Sequence, residues 1–262
     1  MDEHRQSSPV ELLGVPFQPV SMASFLDELD TWIAKGQGAY VCAVCATSLI
    51  EASRNPALLD ALWQADVNLP DGAPVAWALS ALYRHRQDRL AGPTAMVEIL
   101  GLASRRGYRV LLFGSTPEIQ RRLSSRIRME FPGVMLAGCI SPPFRRLSRE
   151  EDAEVMRQVH EARPDVVLVS LGAPKQEVWM RQHAADLGVP AVGVGAAFEF
   201  HVGAIKRAPR WMQKSGLEWA FRLVQQPRRM GYRFASTLPL FAVRASSQIV
   251  RERLREYGPR GR

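Results

Sequence analysis

Val166-Val167-Leu168-Val169-Ser170-Leu171-Gly172-Ala173-Pro174-Lys175-Gln176-Glu177 is an apolar run that stops at Gly-Ala-Pro and restarts as a polar, helix-compatible segment. The stretch reads as strand, loop, helix. Its first half has the length and β-branched content of a strand covered on both faces, as in a parallel sheet flanked by helices. Pro174 suits the first turn of the helix, where a missing N–H costs nothing. Lys175, Gln176 and Glu177 then stand where the carboxyl end of a strand meets a helix N-terminus. Open α/β sheets bind ligands at that place, and free N–H groups there favour phosphate. A nucleotide-type ligand is the first expectation.

Outward from this stretch the same grammar repeats. Ser21 is a plausible N-cap of a helix through Phe25, Leu29 and Trp32 that ends at Gly36. A strand over 39–46 delivers Thr47 and Ser48, and Val67-Asn68-Leu69 runs through Pro70-Asp71-Gly72 into an apolar helix. Tyr108 to Phe113 is a strong strand leaving through Gly114-Ser115-Thr116-Pro117, a second junction able to present N–H groups to a phosphate or ribose. Ser148, with Glu151 three residues on, caps a helix that precedes the central strand. Alternation of helix and strand patterns from Ser21 to Gly195 predicts an α/β fold, a Rossmann-like doubly wound, mostly parallel sheet. From Phe198 onward no further strand is expected. Trp211 to Gln226 and Arg228 to Tyr257 read as helices interrupted by Pro227, Gly231 and Pro239. The division expected is a disordered start over 1–9, a catalytic domain over 10–204 and a basic helical appendage over 205–262.

With 262 residues, 47% of them hydrophobic, the chain can bury a full core. Its net charge of +8 is unevenly spread: the last 58 residues carry 14 Lys and Arg against Glu218, Glu252 and Glu256. The asymmetry points to a polyanionic partner for that tail, and its last helix places Val243, Val250 and Leu254 beside Arg244, Arg251 and Arg255, the pattern of a helix lying on a membrane surface. The polar start predicts no signal peptide. No apolar run approaches the roughly 18 residues needed to span a bilayer, so membrane contact is expected to be peripheral. Three cysteines fit a reducing compartment. Cys42 and Cys45 form a C-x-x-C, but no second Cys or His pair supplies the other ligands of a zinc site, and the two read as small apolar strand residues.

Asp71 is the sharpest candidate for chemistry. An Asp-Gly at a strand end also makes a simple turn. Here it lies between an apolar strand and an apolar helix, so its carboxylate would share the sheet's carboxyl edge with Thr47 and Gln176 and could serve as general base to a substrate hydroxyl. No G-x-G-x-x-G follows a strand, and there is no G-x-x-x-x-G-K-[ST] and no G-x-S-x-G, so dinucleotide, P-loop and serine-hydrolase chemistry lack their fingerprints. No D-x-D is present to hold a divalent metal on a diphosphate. A departing diphosphate would therefore rely on helix N-termini, on hydroxyls, and on Arg and Lys side chains, which the tail supplies with Arg207, Arg210, Arg222 and Arg228.

Several of these stretches together resemble one family, the WecG/TagA/CpsF bacterial glycosyltransferases. They are Asp66 to Gly72; Pro164-Asp165 with Gly172-Ala173-Pro174-Lys175-Gln176-Glu177; Val192 to Phe200; and Lys206-Arg207-Ala208-Pro209-Arg210-Trp211 with Gly216-Leu217-Glu218-Trp219 and Arg222-Leu223. The resemblance implies transfer of a sugar, N-acetylmannosamine, glucuronic acid or a related one, from a UDP-sugar to a polyprenyl-diphosphate-linked saccharide, with inversion, without a cofactor and without a metal. It implies Asp71 as base, with Thr47 and Gln176 in the active site; the two strand exits and the basic tail make Gly114, Ser115, Thr116, Gly172, Ala173, Lys175, Arg207, Arg210, Arg222 and Arg228 the candidate substrate-binding set. It also implies a cytoplasmic protein at the inner membrane face, held by its basic tail, with no nucleic-acid partner and self-association as an open expectation. Leu49 and Thr94 stand where the family often has Asn and an acidic residue, and the D-G-x-P-V-x-W form over Asp71 to Trp77 resembles exopolysaccharide members. The rival reading is a non-catalytic nucleotide-sugar scaffold or sensor using the same cleft.

Overall fold

The computed structural model describes residues 9–209, 211–212, 218–225 and 227–257, so residues 1–8, where disorder is expected, lie outside the described residues. Six strands form one parallel sheet: β3 (Tyr40–Val44), β4 (Val67–Pro70), β5 (Arg109–Gly114), β6 (Met135–Ile140), β7 (Val166–Ser170) and β8 (Ala191–Gly193), in the spatial order β4-β3-β8-β7-β5-β6. The first two strands, β1 (Val10–Leu12) and β2 (Val15–Phe17), make a separate antiparallel hairpin. The hairpin covers the β4 edge, where Asn68 Nδ2 donates to Pro16 O at 2.9 Å. An uncovered edge would leave a row of backbone groups open to pairing.

Each sheet strand feeds alternate side chains into two cores, as the period of two requires. Tyr40, Cys42, Val44, Leu111, Phe113, Val167 and Val169 face one layer, while Val41, Val110, Leu112, Val166 and Leu168 face the other. The first layer holds α2 (Ala46–Ala52), α3 (Pro56–Trp63), α4 (Ala73–Tyr83), α7 (Arg149–Ala162) and α8 (Lys175–Leu187). The second holds α1 (Met22–Lys35), α5 (Gly92–Arg106), α6 (Pro117–Glu130) and the short α9 (Ala197–His201). Caps expected from sequence are in place: Ser21 and Ser148 each complete a capping box, and Gly36 ends α1 in the left-handed conformation. Pro174 sits one residue earlier than expected, as the N-cap of α8 rather than inside its first turn, after a cis Ala173–Pro174 bond.

The tail differs from its sequence reading. After α10 (Glu218–Gln225) the chain forms a single helix, α11 (Pro227–Tyr257), that continues through Gly231 and Pro239. A proline inside a helix removes the hydrogen bond to the carbonyl four residues back. Ala235 and Pro239 are both exposed, so that carbonyl meets water and the helix tolerates the loss. The helix packs across the first layer, where Phe241 and Ala245 are buried in the core cluster. Gln248 grips the hairpin, accepting from Leu13 N at 2.9 Å and donating to Glu11 O at 2.6 Å.

Candidate functional site

Four neighbouring strands, β4, β3, β8 and β7, send their carboxyl ends into one cleft of about 300 Å³. The strand order makes this the place where ligands collect in open α/β sheets: from β3 the chain runs outward to β4, while β5 to β8 build the other half. β3 contributes Cys45 to Ser48, β4 contributes Asp71 to Pro74, β7 contributes Gly172, Ala173 and Gln176, and β8 contributes Val194 to Ala196. The N-terminal turns of α2, α4 and α8 therefore all open on the cleft, and their unpaired N–H groups favour an anion there.

Asp71 is held by its own backbone, whose N–H donates to Val44 O at 2.9 Å. Gly72 follows with φ 96° and ψ 142°, a conformation closed to ordinary L side chains, and it lets the chain turn at once into α4. The Asp-Gly pair thus makes the turn and still leaves the carboxylate on the cleft wall. Thr47 is buried in the first turn of α2, with its Oγ1 2.9 Å from Cys45 Sγ. Gln176 is buried as well; its Oε1 accepts from Gly195 N at 3.2 Å and its Nε2 donates to Glu177 at 2.9 Å, tying the start of α8 to the exit of β8. The structure brings Asp71, Thr47 and Gln176 to a single cavity, along with Gly172 and Ala173.

The remaining expected substrate-binding residues fare differently. Gly114, Ser115 and Thr116 leave β5, which β7 separates from the cleft, and they do not line it. Gly114 has a packing reason of its own, since a Cβ there would lie 2.4 Å from Ser170 O. Ser115 is buried and donates to Glu199 at 2.6 Å, while Thr116 caps α6. Lys175 is exposed and turned toward the Pro-rich loop, donating to Phe144 O at 2.6 Å. Arg207 reaches the start of α5, where its Nη2 donates to Thr94 Oγ1 at 2.8 Å beside Pro93 of the cleft wall. Arg210 lies outside the described residues, as do the side chains of Arg222 and Arg228.

Three lining side chains escaped the sequence reading. Cys45 stands one residue past β3, in the cleft, while Cys42 is buried within the strand, so only one of the pair is the strand residue expected; both are free thiols. Arg89 is held at the exit of β4, because the next residue, Leu90, donates its N–H to Pro70 O at 3.0 Å. Glu218, the first residue of α10, accepts from Arg89 Nη1 at 2.9 Å inside the cleft. The last Arg of a charged run over 84–89, directly before Leu-Ala-Gly-Pro and a helix start, was the available signal for Arg89. The tail also supplies Ile205, Trp219, Gln225 and Leu238 to the wall, so the appendage closes the cavity that the sheet opens. A carboxylate, a hydroxyl, a guanidinium and several helix N-termini around one cavity can deprotonate an alcohol and hold a leaving anion.

The family model described as "Glycosyl transferase WecG/TagA/CpsF family" matches residues 10–255. The chain is similar to proteins named N-acetylglucosaminyldiphosphoundecaprenol N-acetyl-beta-D-mannosaminyltransferase. It is 30% identical over 219 residues to the one from Bacillus subtilis (strain 168), covering 82% of this chain and 83% of the relative. It is 30% identical to that of Bacillus spizizenii, covering 86% and 85%. It is 28% identical to that of Staphylococcus aureus (strain MW2), covering 92% and 93%.

Proposed function

Because this chain belongs to the WecG/TagA/CpsF family of glycosyltransferases, we propose that it moves a sugar from a UDP-sugar to a polyprenyl-diphosphate-linked saccharide in surface polysaccharide synthesis. The donor sugar is N-acetylmannosamine, glucuronic acid or a related residue. The relatives' names, which join an N-acetylmannosaminyl group to an N-acetylglucosaminyl-diphosphate lipid, support the reaction class. The observation that carries the reading is the convergence of Asp71, Thr47, Gln176 and Arg89 on one cavity from separate parts of the chain.

In this reading Asp71 takes the proton from the acceptor sugar's hydroxyl, whose oxygen bonds to the anomeric carbon from the face opposite the diphosphate. The bond from that carbon to the diphosphate oxygen breaks, its electron pair leaves on UDP, and the configuration inverts. Arg89, Arg207 and the helix N-termini of the cleft hold the departing charge, joined by Arg210, Arg222 and Arg228 of the tail. Thr47 and Gln176 orient the reacting sugars. The tail rests on the cytoplasmic face of the membrane: Val243, Val250 and Leu254 are exposed on α11 together with Arg244, Arg251 and Arg255, and no helix among the described residues is long and apolar enough to cross a membrane.

The test is the purified protein in detergent with a panel of UDP-sugars and polyprenyl-diphosphate sugars, scored for released UDP. One donor and acceptor pair is expected to release UDP with turnover. Binding of UDP-sugars with no release on any acceptor contradicts this reading and returns the scaffold alternative.

A further inference from the structure

The cleft contains an ion pair whose two halves lie far apart in the chain. Arg89 lines the cavity with Asp71 from the sheet side, and Glu218 opens α10 on the tail side, 129 positions away. Their side chains are only 17% and 15% exposed, and both line the cavity. Such a pair does more than decorate a surface, because neither charge is well solvated and each needs the other. Guanidinium groups bind carboxylate and phosphate through the same planar fork, and Glu218 Oε2 already takes the Nη1 edge of Arg89, so a phosphate that docks on that edge competes with Glu218.

We infer that Glu218 is an internal competitor for the donor's diphosphate: it holds the Arg89 guanidinium and yields it when a nucleoside diphosphate enters the cleft. This rests on the reading of the cavity as a UDP-sugar site. A carboxylate left facing a diphosphate would repel it, so Glu218 moves away as the exchange occurs. Glu218 begins α10, and its neighbour Trp219 also lines the cavity, so the exchange turns the Glu218 side chain aside at the foot of α10 and is felt at Trp219 while the helix stays over the cleft. Donor binding and the position of the Glu218 side chain become linked events.

The experiment measures UDP and uridine affinity by calorimetry for the full-length protein and for Glu218→Gln, Glu218→Asp, Arg89→Ala and the Arg89→Ala/Glu218→Gln double variant. Each variant's fold is checked by thermal melting. Glu218→Gln is expected to bind UDP about tenfold tighter, the size of one charged hydrogen bond no longer in competition. Glu218→Asp, with a shorter reach to Arg89, is expected to fall between and serves if the amide variant does not fold. Uridine affinity stays level in both. Arg89→Ala weakens UDP binding, and on that background Glu218→Gln brings no gain, because the effect passes through Arg89. Unchanged or weaker UDP binding by Glu218→Gln overturns the inference and makes Glu218 a support for Arg89. An undiminished gain in the double variant also overturns it, since the effect would then be simple repulsion through space. If the unaltered protein binds neither UDP nor uridine, the nucleotide-site reading itself fails. Trp219 fluorescence gives an independent view: UDP should shift it, and Trp219→Phe should remove the shift.

Discussion

At Gln176 the side-chain amide is engaged on both sides, by Gly195 N–H on Oε1 and by Glu177 from Nε2. Any role it has toward a substrate must use the lone pair and the N–H that remain, and its first effect is to fix the cleft's floor. Gln176→Ala is therefore expected to destabilise the fold by about 1–3 kcal/mol through the stranded partners. A lower denaturation midpoint with an unchanged denaturant slope checks this. Asp71's place on the cleft wall was legible because an Asp-Gly between two apolar segments has few places to go, and Gly72 adopts the conformation that needs glycine. The Gly172-Ala173-Pro174 stop was legible for the same kind of reason. The places of Arg89 and Glu218 in the cleft were not, because each is held there by a partner that sequence order does not reveal. Gly114 and Ser115 form a small-residue turn after a strand that looks like a phosphate loop, and here the turn lies outside the cleft, packed close against Ser170 and bonded to Glu199.

Among the elements, strands were the easiest to read, since a run such as Val166 to Ser170 is buried on both faces and has no other stable setting. The short α9 carries too few residues to show a helical period. The largest departure is α11, where proline suggested a break and the structure keeps one helix. Local propensity gave way to tertiary burial, with Phe241 and Ala245 anchoring the helix in the core while Pro239 faces water. If that anchor fixes the helix, Phe241→Ala should cost about 3–5 kcal/mol. Hydrogen exchange is expected to quicken across 238–249 while the amides of β5 and β7 keep their protection. Unchanged exchange in the helix would mean that Gln248 and its hairpin contacts hold it without the ring.

Across the whole molecule, composition and alternation were enough for the class of fold, but the strand order β4-β3-β8-β7-β5-β6 was not readable, and that order decides which loops share the cleft. It admits the exits of β3, β4, β7 and β8 and leaves out that of β5, which no pattern in the chain announces. The charge division between body and tail was visible at once, whereas the tail's place in the cleft wall depends on long-range packing by α10 and α11. The molecule as a whole thus brings one carboxylate, set by a strand exit, under a wall completed from the far end of the chain. We propose that this carboxylate is the base, and kinetics of Asp71→Asn beside its affinity for UDP test that most directly. Turnover is predicted to fall by about 10² to 10⁴ while UDP binding stays near its original value, as befits a group acting only in proton transfer. A variant that keeps its turnover would contradict the account.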